Sequence, residues 1–559
     1  MSLGANLHSI LYQVFYSYRN IQNTNTVNPL KKNMYAELVV DNKKSMSQKY
    51  NNKRIAKNTM FLYMRMFLLL FVGFYTTKII LETLGINDFG LYNVIAGFVA
   101  MISFVNTSIS NSIQRFLNFE IGKGENGNVN RYFTVALMTQ LIIAGAFVVL
   151  AETIGLWFIN NKLCIPDNRY FAANFVYQAS IITIVLKIFQ SPFQAMVIAK
   201  EKMEFYAYQS LIEVFLQLGI AFLLGWISNH KLEIYSVLLL FITICIFICN
   251  VIYSKSIQNN LSIKPTYDSI VFKEVFSFCG WNLFGSASGV LTNQGINVLM
   301  NVFFGVTINA ARGIASQVYS GVQKFIANFQ LAMNPQIVQS YACGDKERYL
   351  KLCYTNFKVS VYLMWIIVLP LVVCCQDVLD LWLGDNYPKQ TLIFVDLVLL
   401  TGIVEALGSS ISVPLYATGN IKEYQIVVSI VRMLSLPIAY VAYKMGYPAE
   451  SSMLIILIVD ILAQILRVYI WTKMVKINPI DYVKIIVLPL IITMLITSFF
   501  SYLMSSYFIL ESKLLKITSV TIFTLIINTP TILLIALSVN ERKIVIQAVV
   551  KIISKNKVK

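Results

Sequence analysis

Residues 234–254 read IYSVLLLFITICIFICNVIYS, twenty-one positions without one charged side chain. A helix rises about 1.5 Å per residue, so such a run crosses a hydrocarbon layer of roughly 30 Å. Comparable runs recur outward in both directions. They give expected spans at 58–81, 91–114, 132–158, 172–198, 205–228, 234–254, 272–302, 308–334, 354–375, 391–415, 421–443, 449–472, 482–508 and 514–538. The connections are short. The chain of 559 residues is 57% hydrophobic and only 13% charged, too little charge to coat a soluble protein of this size. Its mean hydropathy of +0.66 points the same way. The expected fold class is therefore all-α: a polytopic membrane protein of about fourteen transmembrane helices.

The net charge of +18 does not indicate nucleic acid in this setting, because Lys and Arg gather in cytoplasmic loops beside anionic lipid. Their positions orient the chain. Lys49, Lys53, Arg54 and Lys57 precede the first span, and alternate loops follow suit with Arg115, Lys123 and Arg131, then Lys200 and Lys202, then Lys346, Arg348 and Lys351. The opposite loops are poor in base, and one carries Asp377, Asp380 and Asp385. Both termini are expected in the cytoplasm of a bacterial cell, with the spans in its inner membrane. An even helix count follows.

The first 45 residues are polar and carry no signal-peptide pattern. Met46 opens a short basic stretch, MSQKYNNKRIAKNT, and is expected to be the start of translation. Organisation then reads as a cytoplasmic segment 1–57, six spans in 58–254, six in 255–472, two in 473–538 and a basic tail 539–559. A weak repeat supports the halves. The hairpin from Gly85 to Gly122 resembles that from Gly305 to Gly344, 37 and 39 residues apart, and each ends in Asn, Gln and a glycine turn. Repeats of this kind are common in secondary transporters.

Several spans are not apolar all round. Asn282, Ser286, Gly289, Asn293, Asn297 and Asn301 recur at three- or four-residue spacing, and Arg312, Ser316, Ser320 and Gln323 follow on the next helix. Asn58, Arg65 and Thr76 share a face of the first span, and Asn106, Ser110 and Gln114 one of the second. Such residues can simply bond packed helices together. Four stripes, all on the first pair of each half, read instead as the wall of a wet cavity. Arg65 and Arg312 are costly inside a membrane, about 2.5–3.5 kcal/mol each. Lys324 and Lys187 are further cations. The acids of these four spans are at their edges, Glu82 at an outer one and Glu274 at the start of the seventh span. Cations without acidic partners suit an anionic substrate, and the planar fork of arginine suits phosphate. Glu405 and Asp460 read either as structural partners of Arg432 or as a coupling site for Na⁺ or H⁺. The cysteines form no metal-ligand or disulfide pattern, His8 and His230 are the two histidines, and no phosphate-binding G-x-x-x-x-G-K-[ST] loop occurs. No cofactor is expected.

The stretches NTMFLYMRMFLLLFVGFYTTKIILETLGINDFGLYNVIAGFVAMISF, SIQRFLNFEIGKG and WNLFGSASGVLTNQGINVLMNVFFGVTINAARGIASQV resemble polysaccharide (O-antigen or capsule) repeat-unit flippases of the multidrug/oligosaccharidyl-lipid/polysaccharide exporter superfamily. The likeness runs from Met46 onward. It implies two six-helix lobes around a central cavity, two C-terminal helices, and alternating access carrying an undecaprenyl-pyrophosphate-linked oligosaccharide outward. It also implies Arg65 and Arg312 as cavity cations. The partners it implies are the lipid-linked oligosaccharide, membrane lipid, and a glycan polymerase with glycosyltransferases. The other functions compatible with the sequence are a cation-coupled drug antiporter of the same fold and a non-transporting scaffold. Drug-exporting relatives carry an acidic site in the first lobe, where this chain has Arg65.

Overall fold

The computed structural model describes residues 103–157, 169–258, 261–384, 387–507, 512–538 and 541–542, with scattered positions from 54 to 95. The expected start at Met46 lies outside the described residues. Contacts divide the chain into two units, residues 1–60 and 61–559; the described part of the first is a helical segment.

Among the described residues, eleven helices are long and apolar enough to cross a membrane. In chain order they are α1 (Lys57–Gly85), α3 (Val129–Gly155), α4 (Tyr170–Ala199), α5 (Met203–Gly225), α6 (Lys231–Ile257), α9 (Lys346–Val373), α10 (Thr391–Ala417), α11 (Lys422–Lys444), α12 (Ser451–Val475), α13 (Pro479–Met504) and α14 (Lys513–Ala536). Three more complete the expected fourteen: α2 (Ser103–Gly122), α7 (Ser269–Phe304) and α8 (Val306–Ala342). Of these, α7 and α8 fall outside the apolar set because they carry the polar stripes. Around the bundle, Phe71, Trp226, Ile252 and Leu495 are each more than 60% exposed. That surface would aggregate in water and is stable against lipid tails.

Local chemistry sets the ends of these helices. Asp268 caps α7 by accepting from the Ile270 and Val271 amides, and Asp345 caps α9 from Arg348. Asn478 caps α13, whose first residue is Pro479. A short helix, Cys375–Leu383, lies between α9 and α10, and its Asp377 and Asp380 pair with Lys516 and Lys513 of α14 at 2.7 and 3.0 Å. Hydrogen bonds from Tyr387 and Lys513 hold the Asp380 carboxyl below its usual range.

The repeat is written in the backbone. Gly85 and Gly305 both take a left-handed φ, 78° and 80°, between the first and second helices of each half. Gly124 and Gly344 do so after the second helices, at 63° and 74°, and each lies 39 residues beyond its partner glycine. Gly124 is thus the equivalent of Gly344, where the sequence comparison aligned Gly122. Gly122 serves close packing instead. A Cβ there would fall 2.7 Å from the Ala342 Cβ and the Gln339 carbonyl oxygen, so its lack of one lets α2 touch α8. Packing repeats as well. In the first lobe α2, α3 and α6 all rest on α4, and α5 rests on α6. In the second, α8, α9 and α12 all rest on α10, and α11 rests on α12. The helices α13 and α14 pair with each other and lean on α9. There Trp471, Phe357 and Tyr482 form an edge-to-face cluster with centroids 5.2 to 6.5 Å apart.

Arg115 corrects the sequence reading. It was expected in a cytoplasmic loop, but α2 continues to Gly122, and the side chain is only 6% exposed.

Candidate functional site

The polar face of α7, which packs on α8 and α11, borders space also lined by α10 and α12. Two overlapping cavities result, of about 250 and 440 Å³, sharing Gly289, Asn293, Glu405 and Arg432. Every lining residue comes from the second lobe. Spacing explains why. Positions 282, 289 and 293 fall on one helical face, and Gly289 leaves that face open.

A closed ion cluster sits between the two cavities. Arg432 Nε donates to Asp460 Oδ1 at 2.7 Å, its Nη2 donates to Asp460 Oδ2 at 3.3 Å and lies 3.5 Å from Glu405 Oε1. Tyr319 donates its hydroxyl to the other oxygen of Glu405 at 2.5 Å. The two acids thus face an internal guanidinium. Asp460 is 3% exposed, so deleting it strands a positive charge. Asp460→Ala is expected to lower the stability of the purified protein by about 3 kcal/mol, read as a fall in thermal midpoint. An Arg432→Met, Asp460→Leu double substitution should recover most of it. An unchanged midpoint in Asp460→Ala would show that the cluster contributes nothing.

Arg312 lies seven residues into α8 and is 4% exposed. Its Nη1 donates to the Asn293 carbonyl at 3.1 Å and to Asn297 Oδ1, and its Nη2 reaches Asn293 Oδ1 at 3.5 Å. All three acceptors are neutral, so the charge is held in place and not cancelled. Ser316 and Gln323 line the same cavity one and three turns along α8. Asn282, at the other end, is buried and lines the larger cavity.

The remaining expected residues lie elsewhere. Arg65, on α1, lines neither cavity. Its guanidinium stands 4.5 Å from the ring centre of Tyr206, and its buried Nε has no hydrogen-bond partner. Lys187 lines a separate cavity of about 220 Å³ in the first lobe, opposite Glu213. Lys324 is exposed on α8, outside both cavities. Thr76 bonds back to Val72 within its own helix at 2.8 Å. Ser110 and Gln114 line neither cavity, Asn58 belongs to the first unit, and the Asn106 side chain is outside the described residues. Among the described residues, the α7 and α8 stripes share one site, and Arg65, Thr76, Ser110 and Gln114 do not line it.

Arg467 of α12 was not singled out from sequence, although it lines the larger cavity and is 5% exposed. The signal was present: an arginine inside an apolar run whose nearest acid, Asp460, lies two turns away.

The lobes meet at one end. Ser108 and Ser286 hydroxyls are 2.5 Å apart, and Asn282 donates to the Ser108 carbonyl and the Ser112 hydroxyl at 2.7 and 3.0 Å. Arg115 donates to the Tyr416 and Ala417 carbonyls at 2.8 and 3.2 Å, a cation capping the C-terminus of α10. Gln339 donates to Ala199, Gln336 to Glu201, and Arg131 pairs with Asp268. The Arg115, Gln336 and Gln339 contacts lie where α2, α4, α8 and α10 end, and those of Ser108, Ser286 and Asn282 lie further inside α2 and α7. Among the described residues no hydrogen bond joins the lobes at the opposite end, where Val298 and Val302 of α7 are 60% and 72% exposed.

No protein-family model matches the chain, and no curated protein matches it. Solved structures do. An outward-facing multidrug-resistance MATE family transporter of the MOP superfamily superposes with a TM-score of 0.65 at 11% identity, covering 76% of this chain and 96% of the other. A MOP superfamily transporter from Pyrococcus furiosus gives 0.64 at 9% identity, with the same coverage. A MATE transporter from Vibrio cholerae gives 0.58 at 12%, covering 77% and 98%. With its paired lobes and polytopic helices, the chain has the fold of MOP superfamily transporters.

Proposed function

We propose that the protein is a flippase for lipid-linked saccharides, moving an undecaprenyl-pyrophosphate-linked oligosaccharide from the cytoplasmic to the outer leaflet of the bacterial inner membrane. The observation that carries this reading is Arg312: a buried guanidinium, on a cavity wall, held only by neutral amides. Such a group has its charge available for the pyrophosphate. Arg65, Lys187 and Lys324, the other cations expected from sequence, line neither of these cavities, so Arg312 alone of the four carries the reading. If the basic loops face the cytoplasm, as the positive-inside rule expects, the end where the lobes meet is the inner one, which supports reading this as an outward-open state of alternating access. The Pyrococcus furiosus transporter of this fold is itself described as having a binding pocket of reverse polarity suggesting a different function, which supports a change of substrate charge within the fold.

A cation-coupled drug antiporter is the second reading, since Glu405 and Asp460 face the cavity. The Arg432 guanidinium already held between them weighs against it. Glycan polymerase and glycosyltransferases are the proposed partners in the membrane.

The test is direct. Full-length protein in liposomes, loaded with a fluorescent pyrophosphate-linked oligosaccharide in one leaflet, should equilibrate it between leaflets within minutes. Protein-free liposomes should not. Translocation of a lipophilic dye cation with no movement of the saccharide lipid would replace this reading with the antiporter.

A further inference from the structure

Arginine in a membrane interior persists where an acid, a ring of acceptors or water compensates it. Arg467 has almost none of these. It is 5% exposed, its Nε has no hydrogen-bond partner, and its single described acceptor is Gln464 Oε1, at 3.5 Å the outer limit of a hydrogen bond. No ion pair within 4 Å is described for it. Arg432, which shares the cavity, is engaged by Glu405 and Asp460.

The fold has also made room for this side chain. A Cβ on Gly408 would fall 2.2 Å from Arg467 Nη1 and 3.0 Å from its Cζ. The Nη1 end of the guanidinium therefore presses on α10 at Gly408, and only glycine permits that approach. Where it emerges, the 440 Å³ cavity presents Ser409, Ser412, Ser429, Tyr424 and Gln425. Hydroxyls, an amide and an aromatic ring suit a hydroxyl-rich ligand, and the volume admits one sugar-sized group with its anion.

We infer that Arg467 is an anion-binding residue at the inner end of the second-lobe cavity, taking a phosphoryl or carboxylate oxygen of a hydroxyl-rich ligand. The position is distinct from Arg312. Arg312 belongs to the smaller cavity and is pre-held by two asparagines; Arg467 belongs to the larger one and is unheld. An oxyanion accepting from Nε and one Nη would complete the fork. The inference rests on the flippase reading for the origin of the anion, either the lipid pyrophosphate or an acidic sugar of the same substrate.

The experiment uses the full chain in lipid nanodiscs with two probes, inorganic pyrophosphate and a glucuronate-containing trisaccharide. Arg467→Gln is expected to weaken one of them ten- to a hundredfold, and Arg467→Lys to fall between. Loss of pyrophosphate assigns the lipid headgroup, and loss of the trisaccharide assigns an acidic sugar. Because the charge is uncompensated, Arg467→Gln should unfold at the wild-type temperature or above, whereas an arginine kept for structure would lower it. Gly408→Ala provides a second route: it retains the arginine but displaces its guanidinium, and should weaken the same probe. Unchanged affinity for both probes in folded Arg467→Gln overturns the site, as does a wild-type protein that binds neither. If Arg467→Gln loses pyrophosphate in a protein that flips no saccharide lipid, the anion site stands and the flippase reading falls. Intact flipping with unchanged probe binding gives the reverse.

Discussion

Arg312→Ala is expected to reach the membrane in normal amount and to export less than about a tenth of the wild-type glycan. A charge-assisted contact with a phosphoryl oxygen contributes about 1.5–3 kcal/mol, a ten- to hundredfold effect on binding. In the proposed reaction the pyrophosphate would leave a hydrated headgroup layer, and its charge would need such a contact along the way. Folding should tolerate the change. The acceptors released are the Asn293 carbonyl and two asparagine side-chain oxygens on a cavity wall, which water can satisfy. Asp460→Ala differs because it removes the partner of a buried charge. Arg312→Lys should be intermediate, retaining the charge without the fork. Asn297→Asp tests the same idea from the other side. It supplies the missing acid against the guanidinium, and should impair export nearly as much as alanine at 312 while leaving the protein stable. The measurement is surface glycan normalised to membrane-inserted protein. Wild-type glycan in Arg312→Ala at normal protein level removes the cationic cavity from the mechanism.

The bilayer explains why the helices were legible in the sequence. A run such as 234–254 has one stable use, and short basic loops fix which way it points. Helix ends were less legible. Hydropathy stops where charge begins, but a helix does not, so Arg115 read as a loop residue although α2 runs two turns past it and its side chain reaches α10. The register of the repeat slipped by two for a similar reason: Gly122 and Gly124 are both glycine, and only backbone conformation separates the close-packed one from the left-handed one. At the site, spacing found Asn282 and Asn293 on one face of α7 and Arg312, Ser316 and Gln323 on one face of α8. It could not show that Arg65 faces Tyr206 of α5, since no periodicity within α1 reports on another helix. Arg467 escaped because its isolation is a property of several helices together: Gly408 on α10, the serines beside it, and acids already claimed by Arg432.

A Ser108→Cys, Ser286→Cys protein is expected to lose transport completely under oxidation and to regain it with a reductant. The two hydroxyl oxygens are 2.5 Å apart, one on α2 and one on α7. Their Cβ atoms therefore lie near the roughly 3.5–4.5 Å that a disulfide spans. Serine to cysteine changes little else, so the reduced protein should transport normally. The contacts around this pair suit a closure that opens again. Arg115 to two carbonyls and Gln339 to Ala199 at helix ends, and Asn282 to Ser108 and Ser112 further inside α7 and α2, are hydrogen bonds each with a modest net worth of about 1 kcal/mol, somewhat more for the charged donor. A closure built from them sums to a few kcal/mol, within what the differential binding of a charged substrate can reverse. A disulfide cannot be reversed that way. If the lobes separate at this end in every cycle, one covalent bridge holds all molecules in the state seen here, and the residual rate is set by the uncrosslinked fraction. Single-cysteine proteins treated alike control for the native cysteines, among which Cys343 lies at the same junction, donating to the Gly122 carbonyl at 2.6 Å. Transport at the wild-type rate with the bridge fully formed would mean that α2 and α7 stay together throughout the cycle, and the rocking of one lobe against the other at this face would have to be abandoned.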